Sequence, residues 1–289
     1  MFVLLTLSAM FCYALQGALL AGIYRRVDPL SVVAWRGLSL AVTMVPLIFL
    51  SHPLSMEQVY RTLPLITLSA FLMVGANLAV AMAFRSLSVG LTSTFCMSFM
   101  AIASCFISVF LLKEPLSLYE VFWIAVIISG LIQLGLSGRK VKEGNAPISL
   151  RGVICCLLHG LIAASGFFML TLIVREESPF LAAYMWEALI GLFAAAFAAC
   201  RKLLGKEGLY IPNYKTLGKI SAYSFPTVAG TACFTVAITL GPFSIAAVIL
   251  SIGLVVSYML GWLFYQEKIS PTQVVISLVV LFALIFLQL

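Results

Sequence analysis

The sequence predicts an all-α integral membrane protein, with ten transmembrane helices in two inverted five-helix repeats around a central cavity. Three observations carry that expectation. Of 289 residues, 63% are hydrophobic and only 9% charged, against roughly 25% charged in a soluble domain. The apolar residues gather into ten runs, and at about 20 residues per crossing those runs and their short loops use up the chain. The two halves also echo one another. Asp28-Pro29 leads to Trp35-Arg36 in the first half, and Ser178-Pro179 leads to Trp186-Glu187 in the second. Lys113-Glu114-Pro115-Leu116-Ser117 returns 153 residues later as Gln266-Glu267-Lys268-Ile269-Ser270. A duplicated apolar half, with a lone charge near the same point of its second helix, is the pattern of proteins built from inverted repeats.

Taken in order, residues 2–24 are the first span. They lack a basic leading segment, and Arg25-Arg26 follow the apolar run, so this is a retained helix rather than a cleaved leader. Spans 30–50, 62–84, 87–112 and 118–137 complete the first half, with only Arg85-Ser86 between the third and fourth. Ser117 fits an N-cap, with Glu120 at the capping-box position. Residues 138–148, rich in Gly, Pro and charge, are a linker between domains 1–137 and 149–289. The second half repeats the pattern as 150–174, 180–200, 217–240, 243–265 and 271–289, with Gly241-Pro242 as a tight connection and Ser270 as an N-cap. Five is an odd number, so the second half enters the membrane from the opposite side.

Basic residues set an orientation. Loops after odd-numbered helices hold thirteen Lys and Arg, loops after even-numbered helices three, and Arg36 lies within the membrane. The positive-inside rule then places the odd loops in the cytosol and both termini outside. The net charge of +7 belongs to loops facing anionic lipid, so membrane lipid is an expected partner and nucleic acid is not. No P-loop, GxSxG or carboxylate–histidine constellation suggests an enzyme. Seven cysteines lie in apolar runs without metal spacing, and with two histidines they predict no metal and no cofactor.

The residues that could carry chemistry are few. Arg36 and Glu187 are charges at a depth where a partner or a wet cavity is needed. They read equally as an inter-repeat ion pair or as a site for a charged solute group or a coupling proton. Trp35 and Trp186 beside them are interfacial anchors or lids over a ligand. Gln16, Asn77 and His159 are intramembrane polar groups that either tie helices together or line a solute path. Gln133 reads as packing, and Tyr258 shares a helix face with Trp262. Glu114 and Glu267, at the ends of the fourth and ninth helices, fix loop geometry. Gly17, Gly22, Gly75, Gly90 and Gly130 are close-packing positions.

The ten-helix count, the Pro…Trp-Arg opening of the second helix, Ala83-Phe84-Arg85-Ser86-Leu87-Ser88 and Lys113-Glu114-Pro115-Leu116-Ser117 resemble the EamA-type drug/metabolite transporters, over the whole chain. The resemblance implies a bundle with a cavity between two halves that moves small organic solutes by alternating access. The expected cargo is a metabolite such as an amino acid or related amphiphile, with a proton as candidate coupling ion, in a bacterial inner membrane. A membrane scaffold or an integral membrane enzyme is the alternative. Two features depart from the family's pattern. Its members often carry a proline in the fourth and ninth helices, where this chain offers Ser98, Gly253 and Gly261. Many also place both termini in the cytosol, opposite to the charge tally.

Overall fold

The computed structural model describes residues 1–49, 56–111, 117–137, 149–176, 178–205, 207–241, 243, 246, 249–250, 252–268 and 270–287. Its regular structure is α-helical, with no strand among the described residues. The helices are α1 (Phe2–Tyr24), α2 (Pro29–Thr43), α3 (Met56–Ala83), α4 (Val89–Leu111), α5 (Leu118–Ser137), α6 (Leu150–Val174), α7 (Pro179–Leu203), α8 (Tyr214–Leu240), α9 (Gly253–Tyr265) and α10 (Pro271–Leu287). A single further turn, Val45–Ile48, follows α2. Among the described residues, five helices are long and apolar enough to cross a membrane: α1, α3 from Val59, α6, α7 and α8. The protein is an integral membrane protein.

The sequence boundaries need two corrections. The second span, expected as 30–50, breaks at Met44, because Pro46 has no N–H to donate into the ladder. The third begins at Met56 rather than 62 and carries Pro64 inside it. The expected linker 138–148, and Glu114 with its neighbours, lie outside the described residues, as does the side chain of Glu120.

Helix starts follow local chemistry. At α2, Asp28 accepts the Ser31 N–H at 2.9 Å and the Ser31 hydroxyl at 2.7 Å, with Pro29 already set in the helical φ. Asn213 caps α8 through the Thr216 N–H. At α10 the expected cap Ser270 forms a full capping box: Gln273 N–H donates to its hydroxyl, and its own N–H donates to Gln273 Oε1. Expected close-packing glycines admit neighbours: Gly90 leaves room for the Tyr258 ring and Gly130 for Val280. Gln133, expected to pack, stands exposed on α5.

Packing joins the first half of the chain to the second. α1 packs on α8, α2 on α7, α3 and α4 on α6, and α5 on α10, while α4 also meets α9. Polar contacts gather the connections at two ends. At one end, Arg201 at the close of α7 grips Asp28 with two hydrogen bonds of 3.1 and 3.0 Å. Arg25 after α1 meets Glu267 after α9 at the same end. At the other end, exposed Arg61 pairs with Glu176.

Asp28 anchors a loop outside the spanning segments. Burial opposes its charge, but the hydrogen bonds from Arg201 and Ser31 outweigh that and hold its carboxyl below the usual range. A depressed folded-state pKa means stability that is present above the unfolded value of about 3.9 and lost as pH falls through the folded one. Asp28→Asn is therefore expected to lower Tm at pH 7. The gap to the unaltered protein should close as melts are repeated below about pH 4.

Candidate functional site

The apolar crossing of α2 and α7 places two charges where water does not reach. Arg36 is 4% exposed and Glu187 1%. Arg36 Nη2 donates to Glu187 Oε1 at 3.2 Å, and Nη1 donates to Asn77 Oδ1 on α3 at 3.3 Å. Glu187 Oε1 also accepts the Thr231 hydroxyl from α8 at 3.2 Å, and Tyr13 of α1 donates to Thr231 Oγ1 at 3.2 Å. Asn77 is oriented in turn by donating from Nδ2 to Met73 O. Five helices thus hold the pair in a fixed place. A buried ion pair is tolerated when its remaining hydrogen-bonding positions are filled. Here two are not: Arg36 Nε and Glu187 Oε2 are buried without partners.

The two residues line a cavity of about 170 Å³. A cavity of about 150 Å³ accommodates a benzene-sized molecule, so the space suits a small organic solute. One wall is charged, with Arg36, Glu187 and Asn77; Thr92, whose hydroxyl is also buried without a partner, lines it with Ser93 and Ser257. Methionines 10, 73, 97 and 100 and the rings of Phe167 and Trp186 supply much of the rest. Thioethers are flexible and polarizable, which lets such a wall adapt to apolar shapes.

The expected site residues separate into two groups. Arg36, Glu187, Trp186, Gln16, Asn77 and His159 line this cavity. Trp186 is fixed by donating from Nε1 to Ser69 Oγ at 3.0 Å, with its ring against Phe167. His159 Nδ1 lies 2.9 Å from Ala76 O, which assigns the proton to Nδ1 and leaves Nε2 as an acceptor. Trp35 and Tyr258 stand elsewhere. The Trp35 Nε1–H finds its acceptor in the α7–α8 loop, at Tyr210 O, 2.8 Å away. Tyr258 fills the gap over Gly90, its hydroxyl 2.7 Å from Ser277 Oγ, while its neighbour Ser257 faces the cavity. Trp262, one turn on, is 67% exposed.

Sequence reasoning passed over Thr231, Tyr13 and the methionines. For Thr231 a signal existed: it lies 154 positions after Asn77, close to the 151 that separates Arg36 from Glu187. Each half supplies one charge and one neutral partner for it. Among the described residues no group of His, Cys, Asp and Glu could hold a metal ion.

Residues 1–136 and 150–289 both match the model of the EamA-like transporter family. The chain belongs to that family. Its members are transporter-type membrane proteins, and this EamA-like protein carries the match twice. A solved structure described only as "Crystal structure of protein" superposes with a TM-score of 0.65, covering 99% of this chain and 95% of its own, at 14% identity. At that identity the likeness concerns the fold alone. No curated protein matches the sequence.

Proposed function

We propose that this chain is a secondary active transporter that carries a small organic metabolite, an amino acid or related amphiphile, by alternating access. The halves 1–137 and 149–289 act as inverted five-helix repeats across ten membrane crossings, and Arg36, Glu187, Asn77, Trp186, Gln16 and His159 serve the solute. The helix pairings support the repeat: exchanging each helix of the first half for its counterpart turns α1·α8 into α6·α3 and returns α2·α7, α4·α9 and α5·α10 to themselves. Each ion pair near the helix ends also joins ends that ten alternating crossings put on one side.

One observation carries the choice of cargo. Arg36 Nε is a buried donor without an acceptor, and Glu187 Oε2 is a buried acceptor without a donor. A solute bearing both a carboxylate and an ammonium or hydroxyl completes both, and its apolar body meets the methionine and aromatic wall. When that cation leaves, Glu187 is the group positioned to take a coupling proton. The inner membrane of a bacterium is the proposed location.

A thermal-shift panel tests the reading. A solute that binds the folded state at 100 times its Kd stabilises it by about 2.7 kcal/mol. Apolar zwitterions should raise Tm, while the matching amine or carboxylate alone should not. The shift should vanish in the Arg36→Met, Glu187→Leu double variant. Stabilisation by the hydrocarbon portion alone, or a shift that survives in the double variant, counts against the proposal.

A further inference from the structure

Where α1, α4 and α9 meet, one arginine ties three parts of the bundle together. Arg25, just past α1, donates from Nε to Phe84 O at 2.9 Å and from Nη2 to Leu87 O at 3.3 Å and Glu267 Oε1 at 2.7 Å. Its guanidinium lies 4.9 Å from the Tyr265 ring centroid. Glu267 Oε2 accepts the Val89 N–H at 2.8 Å, at the start of α4. Directly inward, Tyr24 and Phe84 stack with 6.2 Å between centroids and 4° between planes, and both rings line the cavity. Next to this junction Tyr265 reaches into the hydrogen bonding of α1. The Tyr265 hydroxyl accepts the Gly22 N–H at 2.9 Å and donates to Ala18 O at 2.7 Å. Those are the two groups that one helical step joins directly, and a side chain inserted into that ladder is one of the causes of helix bending. Gly22 lets it in, since a Cβ there would lie 2.9 Å from that hydroxyl oxygen.

We propose that Arg25, Glu267 and Tyr265 form a gate that closes the solute cavity toward the α1–α2 and α9–α10 loops, with Tyr24 and Phe84 as its inner leaf. This rests on the transport reading above. Three features favour a gate over a static brace. The latch partners keep contact with solvent, at 30% and 11% exposure, so parting them replaces protein hydrogen bonds with water. Arg36 and Glu187 have no such exchange open to them. The Tyr265 contact lies within two turns of Tyr24 and Arg25, so it couples the end of α1 to the latch. The ends of the bundle are also unequal. Arg175, which follows α6 as Arg25 follows α1, is exposed, and the ion pair beside it, Arg61 with Glu176, lies on the surface at 65% and 62% exposure.

Cys96 reports on the gate, because it lines the cavity and is 2% exposed. With Cys96 as the single cysteine in the full-length chain, its labelling by a charged, membrane-impermeant thiosulfonate is timed in sealed right-side-out and inside-out vesicles. From the side bearing the α1–α2 loop, Arg25→Gln and Glu267→Gln should each raise the rate at least tenfold over the unaltered gate, and Tyr265→Phe should raise it by less. Arg25→Lys should stay near the starting rate. If the glutamine variants do not fold, R25C/E267C is used instead. A reducible bifunctional reagent across the two positions should return Cys96 to the slow rate, and reduction should release it. Unchanged labelling from that side in folded variants, or a rate indifferent to the cross-link, overturns the gate. Labelling needs no solute, so that outcome leaves the transport reading standing. Conversely, a metabolite panel without a stabilising zwitterion sinks the cargo assignment and leaves the gate intact.

Discussion

Glu187→Gln should abolish solute flux, by about 100-fold or more, while folded protein still reaches the membrane. Glutamine keeps an oxygen for Arg36 Nη2 and for the Thr231 hydroxyl, so the fold retains its hydrogen bonds. What disappears is the charge that balances Arg36 and would meet a solute cation or a coupling proton. A 100-fold loss corresponds to about 2.7 kcal/mol of lost stabilisation, within what a single buried charge supplies. Arg36→Met is expected to behave differently. It strands a carboxylate that is 1% exposed and also removes the guanidinium's hydrogen bonds to Glu187 and Asn77, which glutamine at 187 leaves in place. Breaking a buried pair in this way costs about 3–5 kcal/mol, so folded yield should fall. Adding Glu187→Leu removes the stranded charge and should restore yield without restoring flux. Detergent-stable yield and flux in proteoliposomes separate these outcomes. Full flux through the Arg36→Met, Glu187→Leu protein would reduce the pair to packing and leave the solute site unassigned.

That pair was legible in the sequence because lipid makes charge expensive. A lone Arg and a lone Glu at matched points of two apolar halves had to face something other than hydrocarbon. The same reasoning found Asn77 and His159, whose amide and imidazole hydrogen-bond across helices beside the cavity. It did not extend to Trp35 or Tyr258. An aromatic side chain is content in a core, a loop contact or a cavity, and only the neighbouring backbones decide which. The methionine wall was illegible for a related reason: a Met among Leu and Ala follows the same hydropathy pattern whichever way it points. Helix boundaries failed where proline intervenes, ending α2 early at Met44 yet passing inside α3 at Pro64. Hydropathy is blind to the N–H that both prolines lack, and to the packing that decides whether the helix continues past it.

Gly37 and Gly191 escaped notice too, and the second large effect is expected there. Glycine is common in apolar helices, so neither position stood out before the crossing was known. In the structure α2 and α7 meet backbone to backbone: a Cβ on Gly37 would lie 2.3 Å from Gly191 Cα, and one on Gly191 would lie 2.5 Å from Gly37 C. Neither contact can be relieved by turning a side chain, so Gly37→Ala must push the helices apart. Overpacking of this kind costs about 1–3 kcal/mol, set against up to about 1 kcal/mol gained from better helix propensity. The net is destabilising. The displacement falls on the buried ion pair, since Arg36 adjoins Gly37 and the same added Cβ would lie 3.3 Å from the carbonyl oxygen of Glu187. An Arg36–Glu187 contact of 3.2 Å cannot survive a shift of about 1 Å at its foot without losing hydrogen-bond geometry. Gly37→Ala and Gly191→Ala are therefore expected to lower Tm and to remove flux even where folded protein is recovered. Gly218→Ala is the control, because a Cβ there meets nothing within 4 Å. Its Tm should hold or rise and its flux should stay unchanged. If Gly37→Ala tracks Gly218→Ala in both measurements, the crossing is not what holds the ion pair in register, and the position of the site must rest on α3 and α8 instead.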